Sequence, residues 1–317
     1  MAMDLRQLRY FMAIVEQGSF SRAAELLNVA QPALSLHVRN MEAELGTPLL
    51  FRSPHGVAAT EAGQILLRNA RIIIDQFAIA QHEIKGHEAE PAGEVRLGLP
   101  GTISQILSVP VIVEARRRYP KVKLRIVEAM SGFVLEWLRE ARVDLAVLYG
   151  PAPDRTLASV PLLTEELWLF GPVVSMPDVK APTSDTCTYK RAAALPLILP
   201  SRHHGLRALL EKEASSHGIV LNTDIEADSY ANIKELVETG LGYSILPFHS
   251  IAHEVQTGKL RAWRVTRPNL RRTVHLVQSN TRPLTHAAAK IETLCRSTLL
   301  DLAATGRWKG GRVLNGS

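Results

Sequence analysis

The chain has 317 residues, more than one average domain holds, so two or three domains are expected. Hydrophobic residues make up 46% and charged residues 21%, an ordinary globular composition with ample apolar material for cores. The net charge of +6 invites a nucleic-acid reading, but residues 1–90 sum to −2 and the remainder to +8, so overall basicity is no argument for DNA binding. Arg6, Arg9 and Glu16 interrupt the short apolar start, unlike a secretion signal. No apolar run approaches the roughly 18 residues of a membrane span. A cytoplasmic protein without a membrane partner is the expectation. Cys187 and Cys295 are too few for a disulfide framework or a thiolate metal cluster.

Leu5, Leu8, Phe11, Met12 and Val15 recur at helical spacing, and Gly18 ends that helix. Ser19 is an N-cap candidate for a second helix, in which Ala23, Ala24 and Leu27 face inward. Asn28-Val29-Ala30 is a turn. Gln31-Pro32 opens a third helix, because proline's missing N–H has no partner in a first helical turn anyway. Leu34, Val38, Met41 and Leu45 form its apolar stripe, leaving Gln31, Ser35, His37 and Arg39 on the other side. Two short helices with a tight turn are a helix-turn-helix unit. Spacing alone leaves two readings open: a DNA reader, or a helical hairpin with a solvated polar face.

Gly46-Thr47-Pro48 breaks the third helix, LLFR (49–52) reads as a short strand, and SPHGV (53–57) is turn chemistry of the kind found in a wing. From Thr60 a long helix runs to about residue 88 with a broad apolar face, as expected of a linker that pairs with a second copy.

Over about sixty residues the motifs F-x-x-I-V-E-x-G-S-F, S-R-A-A-E-L-L, Q-P-A-L-S, E-x-E-L-G, L-F-R and T-E-A-G occur in one order and spacing. In this the chain resembles the winged-helix head of the LysR-type regulators. The A-Q-P-A-L-S and G-V-x-x-T-E-A-G-Q-I-L segments are also similar to the nitrogen assimilation control proteins of that family. The resemblance implies a homodimer or homotetramer on double-stranded DNA, with RNA polymerase as a further partner. It implies DNA contacts at Gln31, Pro32, Ser35, Arg52 and Thr60. Residue chemistry adds Ser21 and Asn28 near passing phosphates, Arg39, and Leu36, which either meets a thymine methyl or is buried. The wing lacks the extra Lys or Arg that many wings carry, so few phosphate contacts and a shallow salt dependence are expected.

After the hinge PAG (91–93), strand and helix patterns alternate: EVRLGLP, a helix to Pro120, KVKLRIVEA, SGFVLEWLREARVD, LAVLYG, and two further strand–helix repeats. That order predicts an α/β fold of two Rossmann-like lobes, which resembles a periplasmic binding protein. The expected division is a winged helix-turn-helix domain (1–60), a linker helix (61–90), and an effector-binding domain (91–302). Lobe I takes about 91–162 and 266–302, and lobe II about 163–265. Residues 303–317 read as a loose basic tail.

Ligands of such lobes sit at the carboxyl ends of strands, between the lobes. The candidates there are Gly101, Thr102, Ser104, Tyr149, Ser201, Arg202, His203, Ser229 and Pro247, with Arg202 able to complete a carboxylate site. The alternative is that the hydroxyls are plain helix caps. Some regulators of the resembled type act without a coinducer, so constitutive action stays open. His249 and His253 lack a third metal ligand, Gly242-Tyr243-Ser244 is no nucleophile elbow, and there is no phosphate loop. No cofactor, metal or catalytic residue is expected. The competing reading is a soluble two-lobed small-molecule-binding protein, against which the head motif weighs.

Overall fold

In the computed structural model of the protein, which describes residues 3–53, 56–84, 90–152, 154–174, 176 and 179–314, the chain opens on α1 (Leu5–Gln17). Asp4 starts it with a reciprocal capping box: its carboxylate accepts the Gln7 N–H while the Gln7 side chain accepts the Asp4 N–H. Gly18 ends it in the left-handed conformation, and Ser19 caps α2 (Phe20–Leu27). Asn28, also left-handed, turns the chain into α3 (Gln31–Leu45), with Pro32 in the first turn and left-handed Gly46 at the end.

Glu42 aims the next segment, because its Oε1 accepts the N–H groups of Leu49 at 2.9 Å and Leu50 at 3.3 Å. The chain leaves as β1 (Leu50–Ser53) and returns antiparallel as β2 (Gly56–Ala59), the strands of the expected wing. Pro54 and His55 at its tip lie outside the described residues. Two glycines are required here. At Gly56, with φ +131°, a Cβ would lie 2.8 Å from the Gly18 carbonyl oxygen, and at Gly63 a Cβ would lie 2.1 Å from that of Leu49.

Leu8, Phe11, Ile14, Ala23, Leu34, Val38 and Met41 form the core of this head. Leu45, expected on the apolar stripe of α3, is 46% exposed, because the helix ends at Gly46 beyond the reach of that core. α4 (Glu61–Ile84) is the long helix, and Ile65, Ile73 and Phe77 stand exposed along it. Residues 85–89, the expected end of the linker helix, are not among the described residues.

The second unit alternates strands and helices: β3 (Gly93–Leu99), α5 (Gly101–Arg118), β4 (Val122–Glu128), α6 (Ser131–Arg139) and β5 (Leu145–Tyr149). β6 (Leu157–Pro172) follows, then β7 (Thr186–Thr188), α7 (Tyr189–Ala193), β8 (Leu197–Leu199) and α8 (Gly205–Ser216). The rest comprises β9 (Thr223–Glu226), α9 (Tyr230–Glu238), β10 (Ser244–Pro247), α10 (Phe248–Gln256), β11 (Leu260–Thr266), β12 (Arg271–Ser279), α11 (His286–Ala304) and β13 (Gly311–Val313).

Lobe I is the sheet β4-β3-β5-β12-β6. Its first three strands run parallel, as strand–helix–strand units require, and β12 runs antiparallel to both β5 and β6. Lobe II is built on β7-β11-β6-β10, extended through a bridge between Leu197 and Tyr243 to the parallel pair β8-β9. The 16-residue strand β6 belongs to both lobes. Its first part pairs with β12, and from Leu167 onward it pairs with β10 and β11. The lobes therefore meet where β6 passes Glu165–Leu167 and where the chain returns into β12, a few residues beyond the expected boundary of 162/163.

The C-terminal segment departs from expectation. Residues 303–314 are no loose tail: α11 reaches Ala304, Trp308 is completely buried, and β13 pairs with β6 at Leu163–Glu165. The physical reason is that β6 offers an edge with unpaired backbone groups, and Trp308 carries enough apolar surface to dock there. Residues 315–317 lie outside the described residues. No helix among the described residues is long and apolar enough to cross a membrane.

Candidate nucleic-acid interface and effector cavity

In the head, the start of α3 is the exposed element that follows the tight turn. Gln31 and Pro32 are exposed, Ser35 is partly exposed, and Gln31 Nε2 donates to Ser35 Oγ at 3.2 Å across one helical turn. An amide and a hydroxyl so placed can exchange that mutual bond for base-edge contacts in a major groove. Leu36 is 53% exposed, so it is not a core residue. Arg39, Ser21 and Asn28 are exposed as well.

Arg52, in β1, lies over the Phe20 ring at 4.9 Å, with Nη2 3.6 Å from Glu42 Oε2. These neighbours hold the guanidinium at the foot of the wing. Thr60 is differently employed. Its hydroxyl donates to the Pro48 carbonyl at 2.8 Å and accepts the Gly63 N–H at 3.0 Å, so it ties the start of α4 to the wing. In this structure the hydroxyl therefore acts as a cap, with its proton given to the Pro48 carbonyl.

In the second unit a cavity of about 450 Å³ opens between the lobes, within the range of small-molecule sites. Lobe I contributes Pro100, Ser131 and Tyr149 to its lining, β12 contributes Arg271, Arg272, Thr273 and His275, and lobe II contributes His204, Lys212, Glu213 and Tyr230. Of the nine expected effector residues, Tyr149 alone is in this lining.

The other eight stand as follows. Gly101 lies directly behind Pro100, where a Cβ would meet Glu128 and Tyr230. Thr102 is buried one layer deeper, its hydroxyl 2.6 Å from Tyr149 Oη, and Ser104 bonds Ser108 at 2.9 Å. Ser201 turns to Asp228, whose pKa its N–H and hydroxyl lower. Arg202 is exposed, 3.9 Å from Glu211, and His203 is exposed too. Ser229 is a plain cap of α9, and Pro247 is buried in β10 against Leu167. Of these hydroxyls Ser229 alone caps a helix, Thr102 supports Tyr149 from beneath, and Arg202 and His203 face water.

Behind Tyr149 sits a buried ionic cluster that residue patterns alone did not flag. Arg272 Nε donates to Glu165 Oε1 at 2.6 Å and Nη2 to Thr102 Oγ1 at 3.2 Å, and its guanidinium centre lies 3.3 Å from the Tyr149 ring centroid. Trp308 Nε1 donates to Glu165 Oε2 at 2.9 Å. His249 Nδ1 lies 3.2 Å from the same oxygen, and its Nε2 donates to the Thr102 carbonyl at 2.9 Å. Burial pushes the Glu165 carboxyl up, but the charge of Arg272, then that of His249, outweighs it and holds the pKa at about 2. A charge pair this deep is tolerable only because every oxygen has a donor.

On the lobe II side, His204 Nδ1 accepts the Leu206 N–H at 3.1 Å, which leaves Nε2 as the donor to Tyr230 Oη at 3.0 Å. Burial, then the nearby Arg272 charge, lowers the His204 pKa, so it is neutral at pH 7. Burial raises Tyr149 well above the ordinary phenol value and Tyr230 to about 12, so both phenols keep their protons as donors. The alternation Leu270, Arg272, Val274, Leu276 places the arginine on an apolar strand face, the one sequence signal that could have found it.

A regulator with a groove-reading helix and a two-lobed sensor is the class these two sites define. Residues 5–64 match the bacterial regulatory helix-turn-helix proteins of the LysR family, and residues 88–299 match the LysR substrate binding domain. The chain is 32% identical over 271 residues to the nitrogen assimilation regulatory protein Nac of Escherichia coli, covering 84% of this chain and 86% of that protein. It is 30% identical over 308 residues to the transcriptional regulator BbuR of Bordetella bronchiseptica, covering 97% and 94%. A full-length OxyR variant from Pseudomonas aeruginosa shares the fold with a TM-score of 0.80 at 22% identity, covering 100% of this chain and 99% of the other. The protein belongs to the LysR family of transcriptional regulators, with a DNA-binding head and an effector-binding domain.

Proposed function

We propose that this regulator binds double-stranded DNA as a homodimer or homotetramer, and that a small organic anion between the lobes sets the placement of the paired heads. The observation that carries the reading is the cavity that both lobes wall. A ligand touching Tyr149 and Arg271 on one side and His204 and Tyr230 on the other has a different affinity for each lobe arrangement, which is what a population shift needs. Lys212 and Arg271, whose guanidinium also holds Glu166 Oε1 at 3.0 Å, supply positive charge against the one carboxylate of Glu213, and the protonated phenols supply donors, a lining that can take a carboxylate. The same cavity favours an effector over constitutive action.

Paired heads would meet half-sites about one helical turn of DNA apart, or a multiple of that, with Gln31, Ser35 and Leu36 toward base edges and Arg39, Arg52, Ser21 and Asn28 toward phosphates. Bending of the DNA by the heads would then alter contact with RNA polymerase in the cytoplasm. The likeness to Nac supports nitrogen or amino-acid metabolism as the setting. We read the protein as no enzyme. The hydroxyl–imidazole contacts at the cavity, Ser159 Oγ to His275 Nδ1 at 2.9 Å and Tyr230 Oη to His204 Nε2 at 3.0 Å, are structural, since the serine hydroxyl accepts the Ala152 N–H at 3.2 Å and His204 Nδ1 accepts the Leu206 N–H at 3.1 Å.

Selection of random duplex DNA by the full-length protein is the test. An enriched interrupted palindrome, lost in Gln31→Ala and Ser35→Ala, supports the reading, and a folded protein that enriches nothing ends it. A thermal-shift screen of small carboxylates and amino acids, with Arg271→Ala as the control that abolishes the response, tests the effector.

A further inference from the structure

The match to the family's sensor domain ends at residue 299, while the chain goes on in ordered form to Leu314. After α11 the chain turns back on itself at left-handed Gly306, and the Trp308 N–H bonds the Leu302 carbonyl at 2.7 Å. The segment then adds an edge strand to β6. Gly311, Arg312 and Val313 pair with Glu165, Thr164 and Leu163, the Glu166 N–H reaches the Gly310 carbonyl at 3.1 Å, and the Leu314 N–H reaches that of Leu162 at 3.1 Å. This covers the stretch of β6 that leads into the passage between lobes.

The segment also touches lobe II. The Trp308 ring meets the His249 ring edge-on at 5.1 Å, and Gly310 packs so near Phe248 that an added Cβ would lie 3.3 Å from it. From Trp308 a continuous set of contacts leads to the cavity. The indole N–H holds Glu165 Oε2, Glu165 Oε1 holds Arg272 Nε, and Arg272 lies over the Tyr149 ring that lines the cavity. A buried carboxylate that loses a donor must turn or take in water, and its other partner then loses its fixed position.

We propose that residues 307–314 form a strap across both lobes, and that Trp308 is a positioning residue which, through Glu165 and Arg272, sets the wall of the cavity. Its meaning for regulation rests on the cavity being the effector site, but its effect on the wall does not. The strap therefore biases the lobe arrangement to which a ligand in the cavity responds.

Amide hydrogen exchange of the full-length protein without ligand tests this, comparing wild type, Trp308→Phe and Arg312→Ala. Trp308→Phe keeps an aromatic ring and removes the donor, whereas Arg312 is exposed and lies outside the relay. Trp308→Phe is expected to speed exchange in residues 100–106 and 147–151 by on the order of five- to tenfold, the fold-change that one hydrogen bond's net contribution corresponds to. β4 at the far edge of lobe I should stay unchanged, and Arg312→Ala should leave all of these segments as they are. An increase confined to residues 160–167 and 305–314 would reduce the strap to local packing and overturn the proposal.

If Trp308→Phe does not fold, the relay is read from its other end. In protein labelled with 5-fluorotryptophan, Tyr149→Phe should move the fluorine resonance of Trp308, and an unmoved resonance overturns the proposal. Neither measurement uses an effector, so a failed ligand screen leaves the strap standing and a failed strap leaves the effector reading standing.

Discussion

In the head, Gln31 and Ser35 stand one turn apart on a single exposed helix, whereas in the sensor Tyr149, His204, Tyr230 and Arg272 converge from a strand end, a helix cap, a helix start and a second strand. The first site is local, and its polar groups reach water with only each other to hold. The second is assembled from remote segments and backed by a buried charge cluster whose parts must all be present. Mutations should therefore separate cleanly: changes in the head cost DNA affinity with little stability, and changes behind the cavity cost stability first.

The largest expected effect is at Arg272. Its replacement by Met leaves the buried Glu165 charge facing only His249 and the Trp308 indole N–H, for which about 3–5 kcal/mol of destabilisation is expected, read by denaturant unfolding of the second unit. Adding Glu165→Gln should recover much of that loss, and a cost below about 1 kcal/mol for Arg272→Met would break the comparison. The same cluster has a pH signature. Because Glu165 is held at about 2 in the fold against an ordinary 4.5, its contribution is complete above pH 4.5 and is lost as pH falls toward 2. The double variant should lack that loss in an acid-unfolding titration.

Next come Gln31→Ala and Ser35→Ala, each expected to weaken binding to the selected operator by about 1–3 kcal/mol, the usual worth of a base-edge contact. Both side chains are at the surface, so the melting temperature should hold. A fall in melting temperature that tracks the affinity would blur the distinction between the two regions.

Thr60→Ala sharpens it further. Loss of this cap should cost about 1 kcal/mol of head stability and leave operator affinity unchanged at temperatures where the head stays folded. A loss of affinity in the folded protein would instead return Thr60 to the phosphate contacts.

The smallest effect is expected at His204. Its pKa is lowered in the fold, so its contribution is present above the ordinary value of 6.5 and lost as pH falls below it. His204→Gln should flatten that part of the stability profile, and an unchanged profile would remove His204 from the pH response.

Much of the head was legible because its signals are local. Gly18, Ser19, Pro32 and Gly46 punctuate the chain where the helices start and stop, and the reading face of α3 is what remains when Leu34, Val38 and Met41 are buried. The lobes were legible as alternating strands and helices for the same reason. The effector site was not: Arg202 and His203 have suitable chemistry but face water, while His204, one residue on, turns inward to Tyr230. The tail misled because glycine and basic residues dominate it, although its lone tryptophan marked it for burial.

By itself the sequence determined the family, the order of the elements, and the residues of the head that can face DNA, since helix periodicity and capping act within a few residues of each other. Only the tertiary structure decided that β6 serves both lobes, that Arg272 and Glu165 are buried together beneath Tyr149, and that Trp308 closes the cluster. Those contacts join residues from 74 positions apart, Ser244 with Phe170, to 143, Glu165 with Trp308. They depend on strand register and lobe packing, which no local pattern of side chains specifies.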